Sequence, residues 1–186
     1  MSAGHRAFPQ PVYRTTPLPV GSLRGTYLIT SQVLRSTREA LTSFAQAGHE
    51  DGGHEGLVFW AGREFNGTTV LLHVVIPRAH HSPLRVMVDA VEVGRMQRAL
   101  RPRRLALLTQ VHSHPGQDTR HSDGDDALIL MPFEGMLSLV APNYGAEWDR
   151  IEQLGVHQFQ EGRWVWCTTE SVRAHCLVIP DVEDMR

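Results

Sequence analysis

The chain has 186 residues, of which 41% are hydrophobic and 20% are charged, and its formal net charge is -2. That length suits one domain with a sizeable core, and the nearly balanced charge excludes the strongly basic class of nucleic-acid-binding proteins. The sequence has no secretory signal and no long apolar span, so its only two cysteines, Cys167 and Cys176, predict reduced thiols in a cytoplasmic protein without a membrane partner.

The predicted elements begin after a proline-rich segment. Four prolines lie among residues 1–20, which show little apolar periodicity, so this segment is predicted to be a flexible tail. Residues 21–186 contain no internal repeat and no sign of a second domain. They are therefore predicted to form one domain.

Strands and helices alternate irregularly along that domain. Two helices are expected because each begins at a capping residue and carries apolar side chains three and four apart; one runs from Thr30-Ser31 to Ala47, the other from Asp89 to the residue before Pro102. Short apolar runs bounded by turn residues predict strands at 23–29, 55–62, 68–76, 104–111, 136–140, 156–159 and 164–167. This order predicts an α/β domain with a mixed central sheet flanked by helices.

Two histidine-containing segments between these elements are predicted to be exposed loops. Residues 49–54 combine glycines with charged side chains, as exposed turns require. Residues 77–83 contain the adjacent pair His80 and His81, and neighbouring side chains of an extended segment point apart. We therefore expect both histidines at the surface and not on a shared metal.

A pattern of possible metal ligands follows the strand predicted at 104–111. His112 and His114 are two residues apart at its end, so both imidazoles point to the same side and can reach one point. After a polar loop, Ser122 begins a short helix, and a carboxylate from its first turn, such as Asp125, can supply a third ligand. Three protein ligands suit a catalytic zinc site, because they leave the fourth tetrahedral position to a water whose pKa the metal lowers to about 7.

The same residues also fit ordinary structural roles. Histidines two apart occur at surfaces and in hydrogen-bonded cores. Ser122 and Asp125 match a capping box, and acidic side chains are favourable at any helix N-terminus. His121 competes with Asp125 as the third ligand. Spacing alone leaves these alternatives open.

The joint pattern is similar to the signature of a known enzyme family. His112-x-His114-Pro115 is followed, after six residues, by Ser122-x-x-Asp125. This spacing resembles the motif of the JAMM family, the JAB/MPN/Mov34 metalloproteases that cleave ubiquitin and ubiquitin-like proteins from lysines.

A second part of that family pattern lies earlier in the chain. The family carries a catalytic glutamate on an earlier strand, followed seven residues later by a glycine, and Glu55 and Gly62 have that separation. Leu57 and Val58 stand where the family often has a glycine after this glutamate. The resemblance extends over residues 27–140.

The resemblance implies a fold, a cofactor and a set of residue roles. The fold is a single JAB/MPN-type domain with a cytidine-deaminase-like layered architecture, and the cofactor is one zinc ion. Its implied ligands are His112, His114 and Asp125. Glu55 would move protons between the attacking water and the leaving amine, and Ser122 would donate a hydrogen bond to the tetrahedral intermediate.

The resemblance also implies a substrate class and partners. It predicts an isopeptidase or peptidase that cleaves after the C-terminal tail of a ubiquitin-like protein, with the tail bound as an added strand. Compact bacterial members similar to this chain occur beside ubiquitin-like conjugation machinery, including antiphage operons. E1-like and E2-like conjugation proteins are therefore expected partners.

Two other functional classes stay open from the sequence. One is a binding or scaffold module of the same fold, as in family members that lack the ligands. The other is a zinc hydrolase of small molecules or phosphate esters, because a metal-activated water can attack a phosphorus centre as well as a carbonyl carbon. Zinc content tests the first alternative, and model isopeptide and phosphoester substrates test the second.

Overall fold

A mixed sheet forms the centre of the computed structural model, which describes residues 16–129 and 131–181. The strands are β1 Val20–Gly21, β2 Thr26–Thr30, β3 Leu57–Phe65, β4 Thr68–Val75, β5 His80–Ser82, β6 Arg85–Met87, β7 Ala106–Ser113, β8 Leu137–Ala141, β9 Gly155–Gln160, β10 Arg163–Cys167 and β11 Cys176–Ile179. The α-helices are α1 Ser31–Ala47, α2 Ala90–Leu100, α3 Asp123–Leu128 and α4 Thr169–His175.

Nine of the described strands join in the order β1-β10-β9-β8-β7-β3-β4-β2-β11. Four neighbouring pairs are parallel, namely β1/β10, β7/β8, β2/β4 and β2/β11, and the others are antiparallel. Strands β5 and β6 form a separate antiparallel pair. The expectation of a mixed sheet flanked by helices is confirmed.

Both faces of the strand β3 are buried along its first six residues. Its residues Val58 and Trp60 join a core cluster with Val33 and Leu41 of α1, whereas Leu57 and Phe59 join a second cluster with residues of α2. Successive side chains of a strand point to opposite faces, so this alternation places one helix on each side of the sheet. Strand β3 therefore reads as a continuous apolar run, as doubly covered strands do.

The helix starts follow from their capping residues. Thr30 accepts a hydrogen bond from the backbone N–H of Val33, and Asp89 accepts one from that of Glu92. These bonds satisfy N–H groups that have no partner within the first turn of a helix. The predicted start of each helix is confirmed.

Several elements differ from the prediction. The loop expected at 77–83 contains β5, which forms a hairpin with β6. Strand β3 begins at Leu57 and not at residue 55, and β1, α4 and β11 had no predicted counterpart. Strands β1 and β11 pair with β10 and β2, whose residues lie more than a hundred positions away along the chain, and local periodicity carries no signal for such pairing.

The predicted tail overlaps the described part of the chain only at its end. Residues 1–15 lie outside the described residues, whereas Val20–Gly21 forms β1 and the carbonyl of Pro19 accepts a hydrogen bond from the N–H of Trp166. The tail therefore stays a prediction for the residues before that point. Among residues 16–129 and 131–181, no helix has both the length and the apolarity that a membrane crossing requires.

Candidate metal centre

Strand β7 brings the two motif histidines together. It lies between β3 and β8, with His112 opposite Leu57 on one side and Val140 on the other. His114 follows the strand's end and continues its direction, since its N–H donates to the carbonyl of Ala141. The Nε2 atoms of His112 and His114 are 3.2 Å apart. The expected convergence of the two imidazoles on one point is confirmed.

Asp125 reaches the same point from the first turn of α3. Its Oδ1 lies 3.3 Å from Nε2 of His112, and its Oδ2 lies 3.3 Å from Nε2 of His114. The turn is held by a capping box: Ser122 Oγ accepts from the N–H of Asp125 at 3.1 Å, and the N–H of Ser122 donates to Asp125 Oδ2 at 2.6 Å. The cap therefore directs the carboxylate back towards the strand.

Hydrogen bonds outside the cluster orient His114. Its Nδ1 lies 2.8 Å from the carbonyl oxygen of Asp118. A carbonyl only accepts, so Nδ1 donates to it, and Nε2 is the ring nitrogen that faces the cluster. The Asp118 side chain accepts hydrogen bonds from the backbone and guanidinium of Arg120, which hold this loop in place.

The three side chains fit a zinc ion. A tetrahedral ion with metal–nitrogen bonds of about 2.0–2.1 Å holds neighbouring ligand atoms about 3.3 Å apart. The two imidazole nitrogens are 3.2 Å apart, and each lies 3.3 Å from a different carboxylate oxygen of Asp125, so all three side chains can reach one ion. The side chains are mostly buried, with exposed fractions of 3% for His112 and about 15% for the other two. Two imidazoles and one carboxylate are donor types that zinc favours.

Glu55 lies close enough to this cluster for the charges of His114 and Asp125 to act on it. It precedes β3 by two residues, and Gly56 is tied to the end of β7 because its N–H donates to Ser113 Oγ and its carbonyl accepts from the N–H of Ser113, both at 3.0 Å. The antiparallel register of β3 and β7 then puts Glu55 beside His114. Glu55 is buried, and its N–H donates to the carbonyl of Ser82 in β5.

The glycine that accompanies Glu55 in the motif has a packing role. Strand β3 shifts register at Ala61/Gly62 against β4, which marks a β-bulge. A Cβ atom at Gly62 would lie 1.9 Å from the carbonyl oxygen of Val70. Only glycine lets the two backbones approach this closely.

The two carboxylates of the site have opposite electrostatic environments. Burial raises the pKa of Glu55 to about 8; the charge of His114 opposes this shift and that of Asp125 adds to it. Burial also disfavours ionised Asp125, but the charges and hydrogen bonds of His112 and His114 outweigh it and hold the pKa of Asp125 well below its usual range. Asp125 is therefore ionised at neutral pH, whereas Glu55 can exchange a proton near pH 8.

His121, the alternative third ligand, has both ring nitrogens hydrogen-bonded to residues outside the cluster. The ring of His121 is fully buried, with Nδ1 2.9 Å from Asp126 Oδ1 and Nε2 2.9 Å from Ser138 Oγ. Among the described residues, the cluster with metal-ligand geometry consists of His112, His114 and Asp125. The structure therefore favours Asp125 over His121.

The structure shows the capping role of Ser122. Its hydroxyl oxygen caps α3, as a structural role requires, and the hydroxyl lies 2.9 Å from Asp125 Oδ2 as a donor, directly behind a candidate ligand. The predicted hydrogen bond to a reaction intermediate stays a prediction.

A turn after β8 supports the cluster and was predicted only as a turn. Asn143, Tyr144 and Gly145 all have positive φ angles, and the first two are side-chain-bearing residues in a conformation that usually costs energy. The N–H of Tyr144 donates to the carbonyl of His114 at 2.7 Å, and its hydroxyl donates to the carbonyl of Pro83. The turn thus links the motif strand to the β5–β6 hairpin.

The predicted surface pair of histidines is only partly exposed. His80 is exposed, but His81 is half-buried and its Nδ1 lies 2.8 Å from Nδ1 of His54. Burial, with His54 nearby, lowers the pKa of His81. The expectation of a surface loop is therefore wrong for His81, because hairpin formation turns its side chain inwards.

Comparison with known proteins identifies the family. A family model described as prokaryotic homologs of the JAB domain matches residues 37–151. The chain belongs to this family. The JAB-type match covers the two histidines, Glu55, Ser122 and Asp125, so the expected JAB/MPN-type α/β domain is confirmed.

One curated relative and two solved structures are similar to this JAB-domain chain. The probable metalloprotease y4jG of Sinorhizobium fredii is 41% identical over 99 residues, which span 51% of this chain and 60% of that protein. The solution structure of protein DSY2949 from Desulfitobacterium hafniense matches 84% of this chain and 95% of that one, with 16% identity and a TM-score of 0.61. A JAB1/MPN domain protein from Archaeoglobus fulgidus matches 83% of this chain and 97% of that one, with 15% identity and a TM-score of 0.41.

Proposed function

We propose that this JAB-domain chain is a zinc-dependent isopeptidase or peptidase that cleaves after the C-terminal tail of a ubiquitin-like protein. The observation that carries the proposal is the convergence of three candidate zinc ligands beside a buried glutamate whose pKa is raised to about 8. The similarity to a probable metalloprotease supports hydrolysis as the reaction class. A bacterial ubiquitin-like conjugation or antiphage system, with E1-like and E2-like proteins, is the proposed setting.

The ligand set defines what the metal would contribute. His112, His114 and Asp125 would hold one zinc ion, which when bound acidifies a coordinated water and polarises a carbonyl. Three protein ligands leave a position open for that chemistry. Asp118 and Ser122 would keep His114 and Asp125 in their ligand orientations through the hydrogen bonds described above.

Glu55 would carry the proton during hydrolysis. Amide cleavage requires removal of a proton from the attacking water and delivery of a proton to the leaving amine nitrogen. A carboxyl group with a pKa near 8 can do both at neutral pH, because the energies of its two protonation states are close. The cation at the metal position would lower this pKa and favour the carboxylate that accepts the first proton.

Ser122 is the proposed donor to the tetrahedral intermediate. Its hydroxyl donates to Asp125 Oδ2 in the metal-free chain, so during the reaction its one hydrogen would turn from the carboxylate to the intermediate. A single donor of this kind typically contributes about a hundredfold to a thousandfold in rate.

The β5–β6 hairpin supports binding of an extended tail. It forms a two-stranded sheet of its own within the described part of the chain, and the hydrogen bond between Glu55 and Ser82 places it next to the site. A peptide that adds to a strand edge is held by main-chain hydrogen bonds and presents one carbonyl at a fixed place. That mode suits the flexible C-terminus of a ubiquitin-like protein.

The test combines zinc binding with cleavage by the wild-type chain and two variants. The probes are an isopeptide-linked ubiquitin dimer, a ubiquitin C-terminal amide of a fluorophore, and p-nitrophenyl phosphate. We expect the wild type to bind one zinc and cleave a tail amide. Glu55→Gln should keep zinc and lose at least about a hundredfold in turnover, and Asp125→Ala should lose zinc.

Three results would contradict the proposal. Full amide hydrolysis by both variants would remove these residues from the reaction. Hydrolysis of the phosphate ester without cleavage of either tail amide would favour a small-molecule hydrolase. A wild-type chain without zinc affinity would favour a binding or scaffold module.

A further inference from the structure

The helix that carries Asp125 has little intrinsic support. Helix α3 spans six residues, Asp123–Leu128, and helices this short do not form stably by their own hydrogen bonds. The other two candidate ligands extend from a strand that is hydrogen-bonded on both sides. The position of Asp125 must therefore be fixed by contacts outside its own helix.

A buried polar chain provides one such contact at the neighbouring residue. Asp126 Oδ1 lies 2.9 Å from Nδ1 of His121, and Nε2 of His121 lies 2.9 Å from Ser138 Oγ. An ionised carboxylate only accepts, so Nδ1 donates to Asp126 and Nε2 accepts from the serine hydroxyl. The chain therefore runs from the first turn of α3, through a fully buried imidazole, into strand β8.

A second histidine holds that imidazole in place. The rings of His121 and His157 stack with centroids 3.9 Å apart. The backbone N–H of His121 donates to the ring Nε2 of His157 at 3.3 Å. The ring Nδ1 of His157 in turn donates to the backbone carbonyl of Ser138, also at 3.3 Å. His157 is fully buried, which lowers its pKa and keeps the ring neutral, with Nε2 free to accept.

The chain ends on the sheet that carries the strand-borne ligands. Ser138 of β8 pairs with Gln110 of β7, two residues before His112, and with His157 of β9. Strands β7 and β8 are hydrogen-bonded neighbours. A rigid connection from β8 to α3 therefore fixes Asp125 relative to His112 and His114.

The order carboxylate–imidazole–hydroxyl is also that of a serine hydrolase triad. Ser138, however, has an exposed fraction of 0% and lies in the interior of the sheet, flanked by two strands. Its hydroxyl has no path to a substrate. The chain thus has the bonding pattern of a triad in a place where only a positioning role is possible.

Buried polar groups are costly unless they are hydrogen-bonded. An imidazole with one carboxylate partner and one hydroxyl partner in a low-dielectric interior strongly stabilises one relative position of the three groups and penalises others. An apolar cluster at the same place would tolerate small shifts of α3, whereas hydrogen bonds with fixed donors and acceptors do not.

We propose that Asp126, His121 and Ser138 form a positioning relay that holds Asp125 at the metal centre. The proposal rests on the proposed zinc site but makes a separate claim about these three residues. They act through Asp125 and contact neither the metal nor the substrate. Outer partners of this type typically change metal affinity by about 10-fold to 100-fold when they are removed.

The test measures the zinc dissociation constant by competition with a chelating dye, together with the melting temperature of the metal-free protein. Asp126→Asn replaces the carboxylate by a neutral amide, whose oxygen is a weaker acceptor for His121, and His121→Gln removes the imidazole while leaving the Asp126 carboxyl group in place. We expect both to weaken zinc binding by about 10-fold to 100-fold. Ser138→Ala, which removes one oxygen, should weaken it in the same direction by less.

Two control variants separate positioning from general effects. Thr37→Val removes a buried hydrogen bond to the indole of Trp60 in the α1 region, so it should lower the melting temperature without changing zinc affinity. Asp123→Asn removes a carboxylate from the same helical turn as Asp126. It should leave zinc affinity within about threefold, because a charge within the turn is partly screened by water and salt.

The outcomes distinguish this inference from the proposed function. If Asp126→Asn and Ser138→Ala bind zinc as tightly as the wild type, the relay is only structural and the inference is overturned, even if the chain cleaves its substrate. If Asp123→Asn weakens zinc as much as Asp126→Asn, charge alone explains the effect and positioning is again overturned. Weakened zinc binding in the relay variants of a chain without amide hydrolysis would support the relay and contradict the proposed reaction.

Discussion

Glu55 and Asp125 are the two carboxylates of the metal centre, and they come from regions that hold them in different ways. Glu55 enters β3, where the strand ladder and the β5–β6 hairpin enclose it and raise its pKa to about 8. Asp125 extends from a short helix, where the Ser122 cap and two imidazoles hold its pKa well below the usual range. The β3 region buries the Glu55 carboxyl group, whereas the α3 region surrounds the Asp125 carboxylate with hydrogen-bond donors and positive charge.

This difference assigns a separate role to each carboxyl group. A pair of acids whose environments move their pKa values apart can divide proton transfer and charge stabilisation between them. Asp125 remains charged and suits a metal ligand, whereas Glu55 changes its protonation state and suits proton transfer. Each region can be disturbed separately, and the responses should differ.

The largest expected effect concerns the β3 region of the metal-free protein. Glu55 is protonated in the folded chain up to about pH 8 but in the unfolded chain only up to its ordinary value of 4.5. Its contribution to stability is therefore present below pH 4.5 and is lost as the pH rises to 8. Glu55→Gln carries no such proton, so its melting temperature relative to the wild type should rise from pH 5 to pH 9.

The loss in the wild type amounts to at most about 1.4 kcal/mol for each pH unit within that window. Glu92→Gln is the matched control. The hydrogen bond from Arg95 lowers the pKa of Glu92 to about 2, and its ordinary value is 4.5, so both lie below the measured range. Its stability difference from the wild type should stay constant from pH 5 to pH 9. A flat response of Glu55→Gln as well would show that the β3 region leaves Glu55 hydrated.

A smaller effect is expected where the loop before α3 rests on the sheet. A Cβ atom at Gly155 of β9 would lie 1.8 Å from the carbonyl oxygen of Thr119, and a backbone atom cannot give way as a side chain can. Gly155→Ala should lower the unfolding free energy by about 1–3 kcal/mol. It should also weaken zinc binding, because the displaced loop carries the Asp118 carbonyl that orients His114.

Gly116→Ala is the control for this loop. No atom lies within 4 Å of a Cβ built there, so its unfolding free energy should stay within about 0.5 kcal/mol of the wild type. Urea unfolding and dye competition measure the two quantities. Equal behaviour of the two alanine variants would mean that contact between the loop and β9 contributes neither to stability nor to the orientation of His114.

The two regions also differ in how far the sequence predicts them. His112 and His114 are two apart on a short apolar strand, and the period of a strand is enough to place both rings on one side. The cap at Ser122 was readable from its spacing to Asp125. The spacing does not predict whether His121 or Asp125 faces the metal position. The answer depends on the hydrogen bond between His121 and Ser138, and the sequence does not show which strand lies next to Ser138.

The environment of Glu55 was harder to predict, for a similar reason. The sequence places it at the start of a strand, where an acid is usually hydrated. Its burial depends on the β5–β6 hairpin, and the run 77–83 resembles a loop because it begins and ends with proline. Edge strands β1 and β11 escaped prediction because parallel partners distant in the chain leave no local pattern.

The smallest expected effect on stability compares two helix caps. Ser122 caps the six-residue α3 at the metal centre, and Thr168 caps the seven-residue α4 by accepting from the N–H of Ser171 at 3.3 Å. Replacement of either residue by alanine removes one side-chain acceptor at a helix start and should cost about 1 kcal/mol of unfolding free energy. Urea unfolding of both metal-free variants measures this cost.

Turnover should separate the two caps, although their stability does not. Thr168→Ala should cleave a tail amide at the wild-type rate once the folded fractions are equal. Ser122→Ala should lose about a hundredfold or more in turnover if the hydroxyl donates to the intermediate. It should retain zinc, because the backbone N–H of Ser122 still donates to Asp125 Oδ2. If Ser122→Ala cleaves the tail amide at the wild-type rate, Ser122 acts only as a helix cap. The region around α3 would then contribute metal binding and no donor to the intermediate.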